Sequence, residues 1–243
     1  MTSRILTRWL WQGVPFGICP LCRSHHKLDR EYIWGFFDQW SMQDTAVERL
    51  AAARGFCSDH AEQLCRIEVQ GMRTTIGVTD VYIATVQQLL EDLARLRPDD
   101  TRGLSKGPCP ACAYRQQGLS RNARYLLEEL LENSDFREQL TAGQGLCVAH
   151  FNLAWAAADA DEQREVLIAV QSRVASRLLA ELDEHARKQR AEAAGEPAGV
   201  EADSWQRAIW MTAGRPAPVR AASVPEATNP YSPVEEPSSD GPV

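Results

Sequence analysis

Apolar residues in this chain recur mostly at spacings of three and four, the signature of helices packed by one face. Leu28, Tyr32, Ile33, Phe36, Phe37 and Trp40 fall on one helical stripe. A short second helix follows, for which Thr45 with Glu48 fits a reciprocal N-terminal cap. A third is expected over about 58–71. A fourth runs from about 75 to 96, with Ile76, Ile83, Val86, Leu90 and Leu93 on its apolar face and Pro98 as its stop. The same series restarts after the turn-rich segment Pro98 to Pro108: Asp135 with Glu138 occupies the slot of Thr45 with Glu48, and a longer last helix is expected over about 161–194. Its charged run, Glu181 to Arg190, reads as a solvated face. Gly55 and Gly145 stand where a helix end calls for a left-handed residue.

The restart has a fixed register. Cys19, Cys22, Cys57 and His60 recur ninety positions later as Cys109, Cys112, Cys147 and His150. Pro20/Pro110, Glu48/Glu138, Leu50/Leu140, Gly55/Gly145 and Leu89/Leu179 keep the same offset. The pattern predicts an all-α protein of two tandem, pseudo-equivalent repeats of about four helices each. One spans residues 1–98 and the other 106–194, and an acidic, Pro/Ala-rich tail without fixed structure follows at 195–243. Trp205, Ile209, Trp210 and Met211 form an apolar island in that tail. It either folds back on the repeats or serves as a docking segment for another protein.

Each repeat reads C-P-x-C and then, after thirty-four residues, G-x-C-x-x-H. Thiolates and imidazole are the donors of a tetrahedral zinc site, so the spacing predicts one Cys₃His site within each repeat and two Zn²⁺ per chain. An iron–sulfur cluster or a set of disulfides are the other chemistries these cysteines offer. Four protein ligands close the shell, which points to a structural ion rather than a catalytic one. Cys65 has no counterpart in the second repeat, where Trp155 stands, and is expected to pack in the third helix. His25 and His26 read as solvated residues at a helix start, with a supporting contact to the metal site as the alternative.

Charge narrows the partners. The formal net charge is −7, and the stretch beyond residue 190 holds eight acidic against three basic side chains. Neither repeat carries the basic surplus that a phosphate backbone requires, so nucleic acid is disfavoured. No apolar run reaches membrane-spanning length. Residues 1–16, with Trp9, Leu10 and Trp11, read as a strap over the first metal loop or a weak membrane-surface foot rather than a signal peptide. The expected compartment is the cytoplasm, where thiols stay reduced.

The first repeat, with CPLC at 19–22, EYIWGFF at 31–37 and RGFCSDHA at 54–61, resembles a family of bacterial and archaeal proteins with a domain of unknown function. The second repeat, with CPAC at 109–112 and QGLCVAHF at 144–151, departs from it after the histidine. The likeness implies an α-helical metal-binding protein and implies no activity. The function expected is a non-catalytic interaction or scaffold protein. A thiol–zinc redox or metal sensor is the alternative, and an enzyme or cofactor-handling accessory with a pocket between the repeats is a third.

Overall fold

The computed structural model describes residues 18–36, 44–67, 76–101, 103–190 and 196–214. Among the described residues every regular element is a helix: α1 (Pro20–Gly35), α2 (Asp44–Ala52), α3 (Ser58–Ile67), α4 (Ile76–Arg95), α5 (Pro110–Glu132), α6 (Ser134–Ala142), α7 (Val148–Ala157), α8 (Asp161–Lys188) and α9 (Ser204–Ala213). Phe37 and Trp40, the expected strap at 1–16 and the tail beyond 214 lie outside the described residues, as do the expected ends of two helices near 71 and 194.

Two long helices organise the molecule. Helix α1 lies antiparallel to α5: Ser24 accepts a 2.6 Å hydrogen bond from Asn122, and the rings of Tyr32 and Tyr114 are 5.3 Å apart. Between these contacts Leu28 meets Gly118 so closely that a Cβ there would lie 2.6 Å from Leu28 Cδ2. Glycine in a helix interior costs about 1 kcal/mol relative to alanine; here it lets the two backbones approach.

Because the pair is antiparallel, the start of each long helix lies beside the end of the other. Two cores result, and each takes residues from both halves of the chain. One joins Cys19, Leu21 and Cys22 to Leu126, Leu127, Leu130, Phe136, Leu140, Leu146, Leu167 and Val170. The other joins Cys109 and Ala111 to Ile33, Phe36, Leu50, Phe56, Leu64 and Val81. Residues 103–109 lead into the second half and are held against the first where Lys106 Nζ and Arg54 donate to the carbonyls of Phe56 and Ser105.

Several local expectations change. Asn133, not Asp135, caps α6, accepting from the Phe136 N–H at 3.2 Å. Thr45 lies already inside α2. Gly55 is left-handed as expected (φ 85°), but Arg54 before it is left-handed too (φ 56°). Gly55 N–H bonds the Leu50 carbonyl and Arg54 N–H that of Ala51, so arginine fills the position a Schellman ending usually gives to glycine. Cys65 is exposed rather than packed.

The apolar face expected to bury α4 points outward. Val81 and Thr85 are buried, whereas Ile83, Val86, Leu90 and Leu93 are exposed. The charged run of α8 is not simply solvated: Lys188 pairs with Glu201 at 2.8 Å, Arg187 with Glu196, and Glu181 with Arg207. These contacts tether α9 and the segment before it.

Gly118→Ala should lower stability by about 1–3 kcal/mol through overpacking against Leu28, against a helix-propensity gain of about 1 kcal/mol. In a Leu28→Ala background the same change should be neutral or stabilising. Chemical denaturation of the four proteins of this cycle measures the coupling.

Candidate metal centres

All four Cys/His motifs open helices. Cys19 and Cys109 are N-caps with Pro20 and Pro110 at the first helical position, and their carbonyls accept from the N–H groups of Arg23 and Ala113. Cys147 is the N-cap of α7, and the Cys57 carbonyl accepts from Ala61 N–H at the start of α3. The second ligand of every motif falls three residues on, at Cys22, Cys112, His150 and His60. The cap and the third helical position of a helix N-terminus face one another, the geometry a reciprocal capping box uses. The free N–H groups and helix dipole there also favour thiolate.

The helix ends meet across the molecule, which corrects the expected grouping. Cys19 and Cys22 join Cys147 and His150; Cys57 and His60 join Cys109 and Cys112. No site lies within one repeat among the described residues. The reason is the antiparallel α1/α5 pair, which carries each C-P-x-C turn into the other half's core.

The separations suit one ion per cluster. Two thiolates about 2.3 Å from a single tetrahedral ion lie about 3.8 Å apart. Cys22 and Cys147 Sγ are 3.7 Å apart, as are Cys57 and Cys112 Sγ. Both histidines turn Nδ1 inward, at 3.2 Å from Cys147 Sγ for His150 and 3.0 Å from Cys57 Sγ for His60. The four ligand atoms of each cluster lie within 4.8 Å of one another. None of the seven cysteines is in a disulfide.

The clusters differ in their surroundings. The Cys19 cluster is wholly buried, while Cys57 and Cys112 are half-buried. Part of the cover is α9: a Cβ on Gly214, just past that helix, would lie 3.5 Å from Cys147 Sγ. The island of Trp205, Ile209, Trp210 and Met211 is thus a helix folded back on α7 and α8.

Around the Cys57 cluster Asp29 plays a part that sequence reasoning missed. Its buried carboxylate accepts from His60 Nε2 at 2.9 Å, from Arg115 at 3.2 Å and from His25 at 3.3 Å. A carboxylate on the outer nitrogen fixes the ring and its tautomer for ligation through the inner one. His25 thus supports the centre through Asp29, and its ring lies 6.1 Å from that of His150 in the other cluster. The signal available in the sequence was a charged residue beside Leu28 on an apolar helix, where the second repeat has Leu119.

Electrostatics follow from these contacts. Burial disfavours the Asp29 charge, yet its bonds to His25 and His60 and the Arg115 guanidinium hold the carboxyl well below its usual range. Burial likewise opposes charge on His60, but Asp29, Cys109 and Cys57 outweigh it and raise its pKa to about 10. For His150, burial is outweighed by Cys147 and Cys22, and the pKa rises to about 9. Burial and the neighbouring thiols push Cys19 up, while hydrogen bonds with Cys19 and Cys22 draw Cys147 down. These contacts favour imidazolium beside thiolate in a metal-free cluster, and a bound cation would displace the protons.

A cavity of about 940 Å³ opens between α6, α8 and α9, lined by none of the eight candidate ligands. Its charged lining is internally paired, Arg177 with the Thr141 and Gly143 carbonyls and Arg207 with Glu181 and Asp203. None of the described helices is long and apolar enough to cross a membrane.

Fold and clusters define an all-helical protein with two Cys₃His centres, each able to hold a metal ion. The chain belongs to a family of unknown function, DUF6062, whose model matches residues 16–218. No curated protein and no solved structure matches it.

Asp29→Asn should weaken metal binding at the Cys57 cluster about 10–100-fold and leave the Cys19 cluster unchanged, as read by competition with a chromophoric chelator. Uptake by the folded apoprotein should release protons. Its affinity should still be rising with pH at about 9–10, where the two imidazoliums lose theirs, and beyond, while the raised Cys19 thiol still holds its proton. Chelator should strip the full chain in two phases, the Cys57 cluster first. Deletion from residue 196 onward should speed the slow phase.

Proposed function

We propose that this is a non-catalytic, zinc-stapled interaction protein of a reducing compartment, the cytoplasm, holding two Zn²⁺ per chain. The observation that carries this reading is the composition of the clusters: each is a complete set of three sulfurs and one imidazole, taken two by two from opposite halves. Three thiolates and an imidazole suit Zn²⁺, and four protein ligands leave no position for a reacting water. Each ion therefore fastens one half of the chain to the other. Structural zinc contributes apparent folding free energies of about 10–16 kcal/mol, so the two ions would outweigh the marginal stability of an ordinary domain.

We read the two halves as copies of one unit related by an approximate twofold axis. Ser24–Asn122 and Tyr32–Tyr114 exchange under the ninety-residue offset, and Leu28–Gly118 joins a position to its own counterpart. The partner surface would include the outer face of α9, where Trp205 and Ile209 are 47% and 48% exposed beside Trp210 and Met211. The acidic balance favours a protein partner over nucleic acid.

A second reading, a thiol–zinc sensor, draws on the half-buried Cys57 and Cys112, whose sulfurs lie 3.7 Å apart. A hydroperoxide could take two electrons from this pair, joining it as a disulfide and releasing the ion while the peroxide is reduced to water or alcohol.

Metal analysis of protein purified from cells should find two zinc ions per chain. Residues 1–98 and 106–243 made separately should each lack a tetrahedral cobalt spectrum, and a one-to-one mixture should regain it at two ions per pair. A full Cys₃His spectrum from either fragment alone would overturn the crossed assignment. Near-stoichiometric peroxide that ejects one zinc and spares the other would favour the sensor; retention of both favours the staple.

A further inference from the structure

Helix α4 carries an aliphatic seam that its own core leaves uncovered. Ile83, Val86, Leu90 and Leu93 are 50%, 49%, 61% and 47% exposed. Their spacing of three, four and three residues is the a/d repeat of a coiled coil, the pattern that packs one helix along another. The neighbouring face is spent inside the chain, where Val81 and Thr85 are buried and Val78 and Tyr82 pack against the core. The corresponding residues of α8 are Arg173, Ser176, Ala180 and Asp183, so the seam belongs to one half only.

We propose that this seam is a homodimer interface, in which α4 of one copy packs antiparallel against α4 of a second. Antiparallel coiled coils match each a layer with a d layer of the other helix. A twofold axis opposite residue 88 does so here, setting Ile83 against the second copy's Leu93 and Val86 against its Leu90. The seam is then self-complementary, as an isologous contact must be. The positions flanking it are uncharged: Tyr82, Gln87, Leu89, Ala94 and Leu96. Beyond the Glu91–Arg95 pair, exposed charges of opposite sign stand near its ends, Asp80 at the start and Arg97 just past the finish. Antiparallel docking brings Asp80 of each copy beside Arg97 of the other; parallel docking would put like charges together. This names one partner surface for the interaction role proposed above, and neither metal cluster takes part in it.

The test is sedimentation of the full-length, metal-loaded protein across a concentration series, with metal content and helicity measured on the same samples. The wild type should reach about twice the chain mass. Leu90→Glu should return it to the monomer with metal and helicity intact. Asp80→Arg should weaken the dimer, and adding Arg97→Asp should restore it, which a merely structural role for either residue would not produce. A wild type that stays monomeric, a Leu90→Glu protein that stays dimeric, or a charge swap that does not rescue would each overturn the proposal. Loss of metal in the wild type would count against the zinc reading instead.

Discussion

In each cluster two helix N-termini point at one another, α1 with α7 and α3 with α5. Each such end carries roughly half a positive charge and unsatisfied N–H groups, so bringing two together in a buried place is costly unless negative charge lies between them. Three thiolates around a dication would supply a net charge of −1, matching the two half-charges; in each cluster two of the cysteines are helix caps and the third lies in the first turn. The helix starts and the candidate metal shells thus share residues: an N-cap cysteine and the ligand three positions on from each helix. Losing an ion would leave free thiols, two repelling dipole ends and a severed tie between the halves. The reach of these ties adds to their effect: the Cys19 cluster joins residues about 125 apart in sequence, and closing long loops removes the most freedom from the unfolded chain.

The facing of the helix ends depends in turn on the antiparallel α1/α5 pair. Gly118 admits Leu28 at the crossing, and the contacts on either side fix the register. From there the two clusters diverge. Helix α1 passes between them, giving Cys19 and Cys22 to one and, one to two turns on, His25 and Asp29 to the surroundings of the other. The Cys19 cluster lies beneath α9, whereas the Cys57 cluster has two half-buried cysteines and a carboxylate-held histidine. The first is closed to solvent, and the second is the one that solvent, oxidant or chelator would reach first.

Much of this was legible along the chain. Helical periodicity located the helices of the two repeats, though α9 falls in the segment expected to lack fixed structure, and the repeated motifs named all eight ligand candidates. Where periodicity failed, it failed for a physical reason. The stripe Ile83, Val86, Leu90 and Leu93 is a real apolar face, but a helix with apolar residues on two sides does not say which side its neighbours take; α2 and the core took the side of Val81 and Thr85. The cap of α6 was misplaced by two residues because Asn133 and Asp135 both suit that role. Asp29 was missed because its meaning depends on His60 and Arg115, residues 31 and 86 positions away.

The sequence by itself determined the ligand types, their helix-opening motifs and their constant ninety-residue offset, because these are local matters of chemistry and backbone conformation. It suggested one site within each repeat, although ligand identity and spacing are the same for either pairing. Tertiary structure decided the pairing. The close, antiparallel approach of two long helices carries each pair of cysteines out of its own half, and two sites that looked self-contained became two ties across one molecule.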